Sequence, residues 1–320
     1  VPVDFVSDLV SFVLGLAALD KTAVKEFLFA NGLGSLWEVF RASLFHPFVI
    51  VSVVTCVLME RLWSVQRRER LVTAGMLLDY LYPLLSVITF SAAIEAAIVT
   101  GILSLYHHYF PFLRLDLLSQ LPWWLQAIGY FLVVDFVFYC SHYFHHKVTV
   151  LWYLHAVHHS QEDLNPFTTY RGHQLESATK TIVRTMPFMI FGGTETTVFW
   201  FTFINSFWGF FIHSNIRLNL GPLKYVLVTP QYHRVHHSIE ERHFDKNFGE
   251  RLTLWDWLFG TMWPHFEDYP ATGVKNFPIP READRSPMGL LKSWWGLTFY
   301  PFRRMWMESR RLGETGRAGR

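Results

Sequence analysis

Two histidine pentads share one spacing, His155-Ala156-Val157-His158-His159 and His233-Arg234-Val235-His236-His237, and a third cluster, His142 to His146, lies just before the first. In a helix the pentad histidines fall at i, i+3 and i+4, so three imidazoles project from one face and can converge on a metal. With 16 histidines in 320 residues, two such pentads should arise together by accident about once in a thousand chains or fewer. His142 and His146 are four apart and can face one ion, whereas His145 lies off that face and is expected to make an outer contact. Asp135, Glu162 and Asp163 are close enough in sequence to accept the second N–H of a ligand ring, or else to stay solvated.

Other histidines are weighed against that set. His213 ends a long apolar block and is expected on the same face as the pentads, as a further ligand. His173, in the polar stretch Thr168 to Glu176, is a reserve ligand, since it has no histidine at ligand spacing. The pair His107-His108 is expected across the membrane and away from the metal. No HExxH occurs, so the zinc-protease arrangement has no support.

One tetrahedral ion takes three or four ligands, so eight or nine histidines imply two ions at about four ligands each. Imidazole suits iron, zinc, copper and nickel alike. A lipid-facing site narrows the choice, because a hydrocarbon chain offers nothing to hydrolyse, and attack on an unactivated C–H bond needs a redox metal and dioxygen. Iron follows.

The elements that must hold these residues are read from composition and hydropathy. The chain is 51% hydrophobic and 18% aromatic against 17% charged, too apolar for an ordinary soluble domain, and a net charge of +2 gives no reason to expect nucleic acid. Cys56 and Cys140 sit in apolar runs without C-x-x-C spacing, which excludes a disulfide framework or a thiolate zinc site. No secretory signal is read at the start. Residues 5–18 read as an interfacial segment within an N-terminal region 1–41; Ala42 to Met59 and the longer run from Met76 to Tyr106, interrupted by Asp79, Pro83 and Glu95, read as membrane segments. Basic residues after Arg61 put that flank in the cytoplasm. Residues 107–120 read as the far-side loop, and Pro122 to Cys140 carries the chain back to deliver His142 to the cytoplasmic face.

Transmembrane helices are thus expected over 42–140 and a histidine core over 141–261, which includes a membrane hairpin at 181–212 split by Gly192-Gly193. Residues 262–320 read as a cytoplasmic or interfacial tail with an amphipathic segment near Ser286 to Phe302. The fold class is all-α: a polytopic membrane helical bundle with a cytoplasmic histidine-rich helical cap. The protein is expected to be integral to a bacterial inner membrane or the endoplasmic reticulum.

Beyond the histidines stand the strings DFVFYCSHYFHH, LWYLHAVHHSQEDLN, FFIHSNIRLNLGPL, TPQYHRVHHS and DKNFGERLTLWDWLFGT. Together they resemble the membrane di-iron fatty acid hydroxylase/sterol desaturase superfamily, in the branch that includes alkylglycerol monooxygenase and bacterial sterol desaturase-type proteins. The resemblance covers roughly residues 135 to 261. It implies His142, His146, His155, His158, His159, His233, His236 and His237 as metal ligands, with His213 matching a further histidine; His173 does not match cleanly. It also implies two iron ions, dioxygen, a lipid substrate, and electrons from a redox partner protein or a pterin. The implied reaction is hydrogen abstraction from a lipid C–H bond followed by hydroxylation, with desaturation as the alternative. A non-enzymatic metal-binding or transport protein is the reading from a different class. It would thread ionisable residues through several spans rather than gather them at span ends.

Overall fold

The computed structural model describes residues 47–65, 73–88, 104–115, 120–191, 195–218, 220–277 and 284–318, with 98, 101, 102 and 117 besides. Among these the chain is all-α: no strand forms, and extended pairing is limited to isolated antiparallel bridges, Ser64 with Ile216, Leu227 with Leu252 and Ser238 with Thr272. The α-helices are α1 (Pro47–Leu62), α2 (Ala74–Ile88), α3 (Trp123–Lys147), α4 (Thr149–His159), α5 (Gln174–Phe191), α6 (Glu195–His213), α7 (Pro230–His236), α8 (Leu254–Phe259) and α9 (Pro287–Ala318). The expectations for residues 5–18, Glu95 and the Gly192-Gly193 break lie outside the described residues.

α3 is the axis. Its buried face carries Tyr130, Val134, Phe138 and His142, each four residues from the last, and its opposite face exposes Ile128 and Leu132. Among the described residues it is the helix long and apolar enough to cross a membrane, by length and composition. α1 and α2 run 16 and 15 residues, and α1 leaves Val51, Val54, Leu58 and Leu62 exposed along one stripe. α3 also continues seven residues past Cys140, the end expected for that segment, so His142 and His146 share one rigid element with the apolar run.

α5 and α6 flank α3, with Val134, Phe138 and Phe201 buried together and Val183 and Phe188 against them. α5 begins at Gln174, earlier than the hairpin expected from hydropathy, because its first two turns are polar and face the histidines. After α3 only Val148 is extended, with φ −98 and ψ 115, and α4 turns back at once beside it. That single break brings His155 to His142.

Within the expected 262–320 tail, α9 packs on the bundle. In α9, Leu290, Trp294, Leu297 and Tyr300 recur every three or four residues and bury against Leu78 and Tyr82 of α2 and Ala156 and Val157 of α4. The other face of α9 leaves Trp295, Phe299, Phe302 and Trp306 exposed, and α8 does the same with Trp257, Leu258 and Phe259. The helix assignment runs on through Ala318, into the GETGRAGR stretch that reads as unstructured from composition.

Candidate metal centre

The pentads sort by helix geometry. At 100° per residue, the first and last histidines of H-x-x-H-H are only about 40° apart, while the middle one lies about 100° from the last. His155 and His159 therefore aim one way and His158 another, and the same holds for His233 and His237 against His236. The structure brings nine histidines into two groups on this basis. His142, His146, His155, His159 and His236 have ring nitrogens all within 4.8 Å of one another, and so do His158, His213, His233 and His237. Each pentad serves both groups, giving two residues to one and one to the other. The groups adjoin, with the His159 and His237 rings stacked at 4.2 Å.

The orientation of the rings shows what they can hold. His142 donates from Nδ1 to the Phe248 carbonyl at 2.8 Å, His158 to the Arg171 carbonyl at 2.9 Å and His213 to the Gly209 carbonyl at 2.7 Å; His155 donates to the Glu176 carboxylate at 2.7 Å. A carbonyl only accepts, so the proton sits on Nδ1 and Nε2 presents a lone pair. Yet His142 Nε2 lies 3.0 Å from His155 Nε2, and His213 Nε2 lies 3.1 Å from His158 Nε2. Two lone pairs face each other in each case, which neutral rings cannot resolve by hydrogen bonding and a cation between them does.

The neutral form of the rings is favoured. Burial, the largest cause, holds His155, His158, His159, His233 and His237 well below the usual imidazole range, and His236 at about 4. Neighbouring histidines are the next cause for His155, His159, His233 and His237. Neutral imidazole is the form that ligates metal.

Short α7 is fixed from several sides. The Thr229 side chain caps it by accepting from the Tyr232 N–H, and Pro230 stands at its first turn. Arg234 Nε donates to the Pro270 carbonyl at 2.8 Å and Nη1 to Asn215 Oδ1 at 3.2 Å. The turn Asp245 to Gly249 supplies the rest. Asp245 and Asn247 both take φ of 60°, and the carbonyls of Lys246 and Phe248 accept from His236 Nδ1 and His142 Nδ1. Buried Asp256 of α8 holds this turn by accepting from the N–H groups of Phe248 and Gly249 and from the Tyr232 hydroxyl. A Cβ at Gly249 would come within 2.5 Å of the Leu252 carbonyl oxygen and 2.9 Å of Asp256 Oδ2, so only glycine fits.

Glu176 is the carboxylate that orients the His155 ring, and sequence reasoning missed it. It sits in the first turn of α5, its Oε1 2.7 Å from His155 Nδ1 and 2.7 Å from Lys180 Nζ. Partners of this kind are worth roughly 10–100-fold in metal affinity. Glu176→Gln, which keeps the shape and removes the charge, is expected to weaken metal retention by about ten-fold without unfolding the chain. Competition against a chelator measures this, and unchanged retention would refute the orienting role.

The carboxylates expected near the rings do other things. Asp135 takes Arg251, the Leu252 N–H and Trp255 Nε1, while Asp163 and Glu162 lie in the loop after α4, where their backbones meet Gln161 and Thr272. The structure does not bring His173 into either group: its Nδ1 accepts from the Leu175 N–H and its Nε2 donates to the Thr298 carbonyl, so it caps α5 and ties it to α9. His145 donates from Nδ1 to the Ser141 carbonyl and flanks His155, outside both groups. His107 and His108 are exposed and apart from the groups.

The fatty acid hydroxylase family profile matches residues 127–261. Over 150 residues the chain is 38% identical to human alkylglycerol monooxygenase, covering 45% of this chain and 33% of that protein. It is 30% identical over 167 residues to the ornithine lipid hydroxylase OlsE of Rhizobium tropici, covering 52% and 48%. It is 28% identical over 156 residues to a Delta(7)-sterol-C5(6)-desaturase of Nicotiana tabacum, covering 47% and 54%. The matched stretch is thus between a third and about half of each relative's length. No solved structure matches the chain.

Proposed function

We propose that this chain, whose histidine core is similar to the fatty acid hydroxylase family, is a membrane di-iron oxygenase that uses dioxygen to hydroxylate a lipid C–H bond. The observation that carries this is the pair of adjoining, largely buried, all-histidine groups whose Nε2 lone pairs converge. His142, His146, His155, His159 and His236 would hold one iron ion, and His158, His213, His233 and His237 the other. Bound there, two iron ions would activate dioxygen, the oxidant that an unactivated C–H bond demands and that no side chain supplies.

The chain's own residues do the remaining work. Glu176 and the carbonyls of Arg171, Gly209, Lys246 and Phe248 fix five rings in the tautomer that aims Nε2 inward. Burial of eight of the nine rings, with His146 half-buried, keeps bulk water away from the reacting atoms. α3 places the site at one end of an apolar helix, and the exposed aromatic faces of α8 and α9 suit the membrane interface. In this reading residues 42–140 cross the bilayer as part of a polytopic bundle, with the site on the cytoplasmic face of a bacterial inner membrane or the endoplasmic reticulum. Electrons come from outside the chain, from a redox partner protein or a pterin.

The lipid is a fatty acyl, sterol or ether lipid; the relatives named as an alkylglycerol monooxygenase and an ornithine lipid hydroxylase favour oxygen insertion. Desaturation is the second reading, favoured by the relative named as a sterol desaturase. Purified protein is expected to hold about two iron ions per chain. Lipid mass spectrometry of a deletion strain against its parent separates the outcomes: a lipid class that lacks one oxygen in the deletion strain marks hydroxylation, and one that retains two extra hydrogens marks desaturation. Protein that retains no metal after purification in iron-replete medium would refute the proposal.

A further inference from the structure

A cavity of about 120 Å³ opens on both histidine groups at once, with His142 and His155 of the first and His158, His213 and His233 of the second on its floor. It runs from them into the bundle of α3, α5 and α6, between Phe138, Lys180, Asn205, Trp208 and Arg251. A passage meant for hydrocarbon alone would be lined by apolar groups. Here Asn205 Oδ1, Trp208 Nε1 and Arg251 Nε are buried and, among the described residues, have no hydrogen-bond partner. Buried polar atoms left this way are costly, and a site built to pair them discriminates strongly for a ligand that does.

Charge defines the class of that ligand. Lys180 Nζ lies 2.7 Å from Glu176, and Arg251 Nη1 lies 3.2 Å from Asp135 and 3.5 Å from Glu250. Two of the three cations lining the cavity, Lys180 and Arg251, are thus each matched by a carboxylate, and the third, Arg184, lies over the Phe138 ring. Two donors, Trp208 Nε1 and Arg251 Nε, and one acceptor, Asn205 Oδ1, await an uncharged group that can accept hydrogen bonds and, if a hydroxyl, also donate one. The size, about 120 Å³, is against a whole headgroup.

We propose that this cavity binds an uncharged oxygen of the lipid, a hydroxyl or an acyl carbonyl, and that Asn205 and Trp208 thereby set which carbon is oxidised. Trp208 is five residues before His213 on α6, a rise of about 7.5 Å, so the oxidised carbon lies within a few bonds of that oxygen rather than at the far chain end. The inference rests on the oxygenase reading for its chemistry and on the cavity alone for binding.

Retention of radiolabelled hexadecane, hexadecanol, methyl palmitate and hexadecyl phosphate by the purified, iron-loaded protein in detergent tests it. Hexadecanol or methyl palmitate is expected to be retained about ten-fold better than hexadecane and hexadecyl phosphate, roughly one hydrogen bond's worth. Which of the two wins assigns hydroxyl or carbonyl. Trp208→Phe and Asn205→Leu are each expected to lower that preference by several-fold, with hexadecane retention and iron content unchanged. Equal retention of all four probes, a preference for the phosphate, or variants that keep the parent's preference would overturn it. A protein that oxidises lipid yet shows no preference refutes the cavity assignment alone. One that shows the preference without holding metal refutes the oxygenase reading and leaves the cavity assigned.

Discussion

Replacing His155 and His236 together by alanine is expected to cost about one of the two metal ions and to lower turnover by at least on the order of a thousand-fold. Both residues belong to the five-histidine group, which keeps only His142, His146 and His159, while the four-histidine group is untouched. His158→Ala with His233→Ala is the mirror case and should empty the other group, which keeps only His213 and His237. The contrast is with a pair from one pentad. His155→Ala with His158→Ala removes one ligand from each group and should weaken both ions without eliminating either. Metal content of the three double variants, with circular dichroism to confirm folding, checks this. Equal metal loss in all three would mean that the groups do not act as two sites.

Asp79→Ala should destabilise the protein strongly. Asp79 is fully buried on α2, and it accepts from Arg171 Nε at 2.6 Å, from Asn165 Nδ2 and Thr168 Oγ1 at 3.0 Å each, and from Gln161 Nε2. Removing one partner of a buried ion pair costs about 3–5 kcal/mol, because the other charge stays buried and uncompensated. Against a usual net stability of about 5–15 kcal/mol, that lowers the melting temperature by roughly 10 °C or more. The site suffers too, since the Arg171 carbonyl holds His158. Replacing both charges, Asp79→Leu with Arg171→Met, should recover much of the loss. A melting temperature for Asp79→Ala within about 2 °C of the parent would contradict the anchoring role.

The gathering of the nine histidines was legible because it rests on side-chain type and helical spacing. What spacing could not show is how the pentads divide: three residues on one face suggest one ion per pentad, and the split into 155/159 against 158 appears only when the second pentad is set opposite. His213 was reachable from the end of an apolar block. Asp79, by contrast, read as a flaw in a membrane segment, since nothing local announces Arg171 ninety-two residues away. The carbonyls of Lys246 and Phe248 are invisible in principle, because every residue has one and only the left-handed backbone at Asp245 and Asn247 aims them. Glu176 was passed over for carboxylates nearer in sequence to the pentad, although the helix it opens folds back onto α4. The all-α class followed from composition, while the packing of α9 on α2 and α4 depends on contacts between segments distant in the chain.

His142 belongs to a helix whose tilt, in the membrane placement proposed above, is set by lipid, whereas His236 belongs to one whose position is set by protein packing. The turn from Asp245 to Gly249 grips a ring from each through neighbouring carbonyls. It is therefore the joint at which bilayer thickness and protein meet. A helix longer or shorter than the hydrocarbon around it adjusts by leaning, and the lean of α3 is transmitted to the distance between those two rings. In that placement the hydrocarbon thickness of the host membrane would become a variable of the histidine site itself.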